Sequence, residues 1–239
     1  MTINAKDLLD RARRVLNDET SERWPLSEMR LWLNDSLREI ALIKPTAFSD
    51  SIVVSLFAGT LQRLPDGYFS VMRVVRNLKT NANSPRQGAA SIRTVDMTMI
   101  DAQSPNWHDS TKVKQQKVVK NVAFESSDPR AFYVYPGNDG TGIVEAIVSK
   151  IPTSVSAPAS NADDINSYDV NIDIHDIYSN VILDYMLYRA YSKDANYAGS
   201  AQRAALYYTA FANALGVKVA NEGALNPNVK PTAQQENAA

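Results

Sequence analysis

His108 and His175 are the only imidazoles in the chain, and cysteine is absent. A helical zinc site needs a second histidine four residues on, so that two ring nitrogens meet one ion, and neither histidine has such a neighbour. Without thiols, thiolate metal sites, disulfides and cysteine nucleophiles drop out together, which fits a reducing compartment. Asp163, Asp164, Asp169, Asp173 and Asp176 offer hard oxygens of the kind calcium takes. The run lacks the central glycine and terminal glutamate of an EF-hand loop, so it reads as solvated loop and helix-capping acids. Gly137-Asn138-Asp139-Gly140-Thr141-Gly142 has the composition of a phosphate loop. Such loops lead from a strand into a helix whose first amides meet the phosphate, whereas this one separates two strand-like runs and reads as a turn. The serines have neither a nucleophile-elbow sequence nor a coherent histidine partner. Two carboxylates about 5 to 10 Å apart would suffice for glycoside hydrolysis and leave no linear signature, so a cell-wall hydrolase stands as an alternative. No catalytic residue, metal ligand or cofactor is expected.

What remains is the chemistry of contact. Arg11, Arg13 and Arg14, with Arg23 and Arg30, form the densest basic region. Guanidinium groups pair with carboxylates and phosphates. This region reads as a solvated helix face or as a lining for DNA or a neighbouring carboxylate, and it motivates a second alternative, a nucleic-acid-binding module. Against a tight grip on phosphate stands the formal net charge of -1, with 25 Lys and Arg facing 26 Asp and Glu. Tyr178, Tyr185, Tyr188, Tyr191, Tyr197, Tyr207 and Tyr208 crowd one stretch. Tyrosine gives large contact area at low entropy cost. Tyr185 and Tyr208 are expected in the core, while Tyr191, Tyr197 and Tyr207 are open between rim and subunit interface.

These residues have to be positioned by a chain of 239 residues, 44% hydrophobic and 21% charged, enough to bury a substantial core without disulfides or cofactors. No run approaches the roughly 20 apolar residues of a membrane span, and Met1 to Asp10 lacks the pattern of a signal peptide, so secretion is not expected. Asn4 is a candidate cap for a helix carrying Leu8, Leu9, Ala12, Val15 and Leu16 at helical spacing. Ser27 is the candidate cap of a second, with Leu26 and Leu31 as a hydrophobic staple and Met29, Leu33, Leu37, Ile40 and Ala41 along one face. Pro45 ends it.

From Thr46 the pattern turns strand-like. Ile52 to Leu56 and Thr60 to Leu64 flank Ala58-Gly59 as a hairpin candidate. Further strands are expected at Val71 to Leu78, Ile92 to Val95, Val118 to Phe124, Ala131 to Tyr135 and Ile143 to Ile151, together making a small antiparallel sheet. Asp96 is placed to cap one helical turn. After a loop, the helical period returns with Ile177, Val181, Tyr185 and Tyr188, then with Ala204, Tyr208, Phe211, Ala212 and Leu215, ending at Gly216. The expected fold class is α+β: a helical bundle made from the N-terminal and C-terminal helix pairs, with a β-rich insertion and an extended C-terminal tail. The expected boundaries are 1–45 and 173–216 for the bundle, 46–152 for the insertion, 153–172 for a loop and 217–239 for a flexible arm.

Three stretches carry a resemblance: Trp24-Pro25-Leu26-Ser27-Glu28-Met29-Arg30-Leu31-Trp32-Leu33-Asn34; Ala58-Gly59-Thr60-Leu61-Gln62-Arg63-Leu64-Pro65; and Asp184-Tyr185-Met186-Leu187-Tyr188-Arg189-Ala190 with Lys193-Asp194. In their order the chain resembles the head-to-tail adaptor, or head-completion, proteins of short-tailed bacteriophages, over Lys6 to Gly216. The landmarks are packing and turn residues, so the likeness lies in their sequence along the chain. It implies a structural virion protein rather than an enzyme, a ring of about twelve copies beneath the portal. The implied partners are the portal protein and a tail nozzle or tail tube protein. DNA would pass without specific binding, no membrane would be involved, and the place would be the head-tail junction of a particle assembled in the host cytoplasm. Arg11, Arg13, Arg14, Arg30, Tyr191, Tyr197 and Tyr207 are then the candidate channel or subunit-interface residues. Leu225, Asn226, Pro227, Val229 and Pro231 are the candidate portal-docking residues, able to lie extended along a groove.

Overall fold

The switch from helical to strand-like period and back divides the chain into two compact units, Met1–Lys44 with Pro152–Ala239, and Pro45–Ile151. A computed structural model describes residues 2–81, 85–125, 127–194 and 199–225, the last nine of them by backbone alone.

In the first unit, strand β1 (Thr2–Asn4) runs directly into helix α1 (Ala5–Leu16). The Asn4 side chain accepts from the Lys6 N–H at 2.9 Å, and Asn17 closes the helix in the left-handed region that asparagine tolerates. Ala5, Leu8, Leu9, Ala12 and Leu16 are buried along one face. Helix α2 (Leu26–Ile43) buries Leu26, Met29, Trp32, Leu33, Leu37, Ile40 and Ala41, and Pro45 follows its end. Its N-cap is Pro25 and not Ser27; Leu31 is 50% exposed, so the staple does not form.

The expected bundle of two helix pairs is overturned. Among the described residues there are ten strands in three sheets against five α-helices. The helices share their unit with a two-stranded sheet in which β1 pairs antiparallel with β10 (Asn171–His175). Ile3, Ile172 and Ile174 are buried there. The alternation that buries Ile172 and Ile174 is a strand period, and the chain start supplies the partner strand it needs. Helix α4 (Ser179–Lys193) therefore begins later than expected, and Ile177 sits 53% exposed in a preceding 3-10 turn. Helix α5 (Ser200–Leu225) passes through Gly216, which lacks the positive φ of a C-terminal stop. The expected arm loses its first nine residues to this helix; 226–239 lie outside the described residues.

The second unit holds two four-stranded sheets. One has the order β2-β9-β4-β5, from β2 (Ser49–Ser55), β4 (Tyr68–Leu78), β5 (Gly88–Ser91) and β9 (Ile143–Lys150). The other has the order β3-β8-β7-β6, from β3 (Ala58–Arg63), β6 (Arg93–Thr94), β7 (Asn121–Phe124) and β8 (Ala131–Asp139). Val54, Leu56, Leu64, Val74, Ile92, Val119, Val122, Phe132, Val134, Val144, Ala146 and Val148 make one buried cluster drawn from both sheets. The single small sheet expected here is thus two.

The proposed hairpin around Ala58-Gly59 does not form either, since β2 pairs with β9 and β3 with β8. Gln62, 1% exposed, explains the departure. Its Oε1 accepts from the Phe57 N–H at 2.7 Å and its Nε2 donates to Phe57 O and Gly59 O, so the link is a broad loop filled by a side chain. A second, smaller cluster of Ile100, Trp107 and Ala123 seats helix α3 (Met97–Gln103), capped by Asp96 as its sequence indicated.

Candidate interaction surfaces

The arginines of the first unit are engaged within the chain. Arg11 Nη2 donates to Asn180 Oδ1 at 2.8 Å, tying α1 to α4. Arg13 donates to Asp10 Oδ1 and to the Glu19 carbonyl, both at 2.7 Å, and Arg14 meets the other Asp10 oxygen at 2.7 Å while staying 70% exposed. The hydrogen bond from Arg13 and the charges of both arginines hold the Asp10 carboxyl below its usual range against the opposing effect of burial. Arg30 donates to the Val155 carbonyl at 2.9 Å. There it supports buried Asn34, which exchanges two hydrogen bonds with the Val155 backbone at 2.8 and 3.0 Å and so fastens this loop to α2. Such bonds take up donors that a channel lining would otherwise present.

The tyrosines form an aromatic seam between α4 and α5. Tyr185 is buried and packs on Phe211 and Tyr188, while Tyr208 is 45% exposed, not in the core as its spacing suggested. It lies over Tyr188, which is itself only half-buried. Tyr191 and Tyr207 stack in parallel with centroids 5.7 Å apart, and the Arg203 guanidinium sits 5.5 Å from the Tyr191 ring. Trp24 meets Tyr191 edge-on, and Arg23 lies over Trp24 while pairing with Asp194. Both tyrosines are half-buried by this stack. Tyr197, Asn226, Pro227, Val229 and Pro231, and the side chain of Leu225, lie outside the described residues.

The histidines and acids have local partners. His108 Nδ1 lies 2.8 Å from Thr60 Oγ1, with its ring 3.8 Å from that of Trp107; His175 caps the turn before α4 and sits 2.8 Å from Asp176 Oδ1. Asp164 caps a 3-10 turn and Asp169 accepts from Asn4 at 2.7 Å. Among the described residues no three His, Cys, Asp or Glu are grouped so as to hold a metal, and no helix is long and apolar enough to cross a membrane.

The glycine-rich run Gly137 to Gly142 does join two strands, and its centre is Asn138, fully buried. Asn138 Oδ1 accepts from the Gly140 and Gly142 N–H groups at 2.9 and 3.0 Å, while Nδ2 donates to the carbonyls of Gln116 and Lys117, both at 3.0 Å. A Cβ on Gly142 would collide with the Asn138 amide and the Lys117 carbonyl, so only glycine fits. Two residues further along the same segment, a second buried asparagine, Asn77, accepts from the Val119 N–H at 2.9 Å and donates to the Val119 carbonyl at 2.8 Å. Gln116 N–H reaches Gly137 O at 2.8 Å and Lys120 N–H reaches Tyr135 O at 2.9 Å. The segment Thr111 to Lys120 is thereby fixed at several points without being a helix or a strand. Its anchors were absent from the sequence reading, although an asparagine inside the apolar strand Val74-Val75-Arg76-Asn77-Leu78 is a polar residue that must find partners.

In comparison with known proteins, the model of a family described as SU10 adaptor protein matches residues 3–231. No curated protein matches the sequence.

Proposed function

Because the chain belongs to the SU10 adaptor protein family, an adaptor family of bacteriophages, we propose that it is a ring-forming subunit that joins the portal to the tail and extends the DNA channel. The observation that carries this reading is the span of the family match, which takes in both units and leaves out only a few residues at either end. Its partners in this reading are the portal protein, a tail nozzle or tail tube protein, and about eleven further copies of itself. It acts as a structural part of the virion, at the head-tail junction.

Ring contacts in this reading use the outer parts of the α4–α5 seam around Tyr191 and Tyr207, with Tyr197, and the exposed guanidinium of Arg14. Arg11, Arg13 and Arg30 belong to the same reading as candidate channel or subunit-interface residues, each already bonded within the chain. The last residue of α5, Leu225, and the residues after it, led by Asn226, Pro227, Val229 and Pro231, dock on the portal. An arm tethered beside its site gains from effective concentration, so weak contacts repeated around a ring reinforce one another.

The test is co-sedimentation with purified portal rings. Full-length protein is expected to be largely monomeric alone and to join the portal in rings, while a chain ended after Leu225 keeps its circular dichroism and fails to co-sediment. A stable ring without portal would refute templated assembly, and unchanged co-sedimentation of the shortened chain would remove the docking arm.

A further inference from the structure

We infer that the pinned segment Thr111 to Lys120, with Arg93 beside it, is a contact surface for the phosphate backbone of duplex DNA. The near-zero net charge conceals a separation between units. Residues 45–151 hold twelve Lys and Arg against nine Asp and Glu, and the rest of the chain holds thirteen against seventeen. The excess in the β unit is concentrated where Lys112, Lys114, Lys117 and Lys120 follow one another, all exposed. Arg93, also exposed, is joined to this line by its N–H bond to the Lys120 carbonyl at 3.0 Å.

Lys112, Lys114, Lys120 and Arg93 make no ion pair among the described residues. Lys117 differs, since its charge faces Asp139, whose carboxyl is held below its usual range first by the Thr141 side chain and then by the Thr141 N–H. Asp109, at the other end, is similarly held by Thr111. Four exposed cations on this segment and the strand beside it therefore stand without an ion-pair partner among the described residues.

Two features favour DNA over a protein partner. A stable protein interface centres on aromatic or aliphatic anchors and is depleted in lysine, while Val118, 43% exposed, is the one large apolar side chain exposed between Lys112 and Lys120. A polymer of evenly spaced phosphates needs only a row of cations, and the Gln116 to Lys120 end of this row is fixed by buried Asn77 and Asn138, so less ordering entropy is lost there on contact. The segment Thr111 to Lys120 itself contains neither a helix nor an aromatic residue with which to read bases, which favours a contact independent of sequence. This deepens the conduit reading given above and rests on it for its setting: weak, salt-sensitive contacts steady a moving duplex without holding it.

The experiment is fluorescence anisotropy of the full chain with labelled 20-base-pair duplexes of two unrelated sequences, at 50 and 200 mM KCl. With about four phosphates engaged, log affinity should fall with log salt at a slope of about -3 to -4, a loss of roughly 100-fold between the two conditions. K112Q/K114Q/K120Q should bind at least tenfold more weakly at 50 mM and flatten the slope to about -1, while K6Q/R38Q, in the other unit, leaves both unchanged. Absence of wild-type binding at 50 mM overturns the inference. So does an unchanged slope in the lysine variant, an equal effect of K6Q/R38Q, a strong preference between duplexes, or competition by poly-aspartate as effective per charge as DNA, which would point to an acidic protein instead. Binding is read without portal, so its failure leaves ring assembly standing, and failure of ring assembly leaves this result standing.

Discussion

Asn138→Ala tests whether buried asparagines hold the lysine segment in place. The side chain makes four hydrogen bonds of 2.9 to 3.0 Å to backbone groups. Gly142 is buried, so its N–H would be left unpaired at a cost of about 1–3 kcal/mol. Gly140, Gln116 and Lys117 are exposed residues whose backbone groups water can reach, and each bond there is worth only a few tenths of a kcal/mol. A loss of about 3 kcal/mol is expected. Asn138→Asp sharpens the test, because it keeps the acceptor toward Gly140 and Gly142 but turns an oxygen toward the Gln116 and Lys117 carbonyls. At neutral pH it should be worse than alanine by about 1–2 kcal/mol. In acid it should recover, since a proton on that oxygen restores a donor. Urea unfolding followed by circular dichroism gives the stability. Hydrogen exchange of the Gln116 and Lys120 amides gives the location. Asn138→Ala within about 1 kcal/mol of wild type with those amides still protected, or Asn138→Asp no worse than alanine at pH 7, would refute the reasoning.

Glu145 receives Arg76 Nε at 2.6 Å, Arg86 Nη1 at 2.7 Å and Ser51 Oγ at 3.1 Å; burial alone would push its carboxyl up, but these bonds outweigh it and hold it down. Its folded pKa lies below the unfolded one, so its stabilisation is full above about pH 5 and is lost as pH falls through the folded value; Glu145→Gln should lower Tm at pH 7 and bring it closer to wild type near pH 3. Asp184 has the opposite sign, because burial raises its carboxyl with Arg11 only partly offsetting. Asp184→Asn should therefore raise Tm at pH 7, with the gain shrinking as the solution is acidified to about pH 3.5. Tyr191→Ala and Tyr207→Ala should each cost the isolated chain about 1–2 kcal/mol, with a coupling of about 1 kcal/mol in the double variant, whereas residues serving only a subunit contact would leave the thermal melt of the monomer unmoved.

The type of each long element was legible because one face of it must be apolar. Leu8, Leu9 and Ala12, or Met29, Leu33 and Leu37, recur at the helical period wherever a single stripe is buried. Asn4 and Asp96 acted as caps for the same local reason. Pairing was less legible. Ala58-Gly59 has hairpin chemistry, yet Gln62 is folded into the loop and β2 finds its partner at β9, some ninety residues later. Nothing in a turn sequence reports a competitor that far along the chain. Tyr208 and Ile177 sat at core-like spacing and ended exposed, since a period identifies a face without saying how wide the covering element is. The candidate arginines were visible as charges, but not the carbonyls and carboxylates that occupy them.

Sequence alone thus determined the alternation of helical and strand-like regions, the caps at Asn4 and Asp96 and the adaptor likeness, because these depend on contacts within a few residues or on the order of landmarks. Tertiary structure decided the rest. It joined Thr2–Asn4 to Asn171–His175, split the strands between two sheets, and aimed Asn77 and Asn138 at one lysine-bearing segment. A strand leaves half its hydrogen bonds to be met by whatever chain lies alongside, and a buried amide must take the partners the fold brings to it. Both are settled only when distant parts of the chain meet.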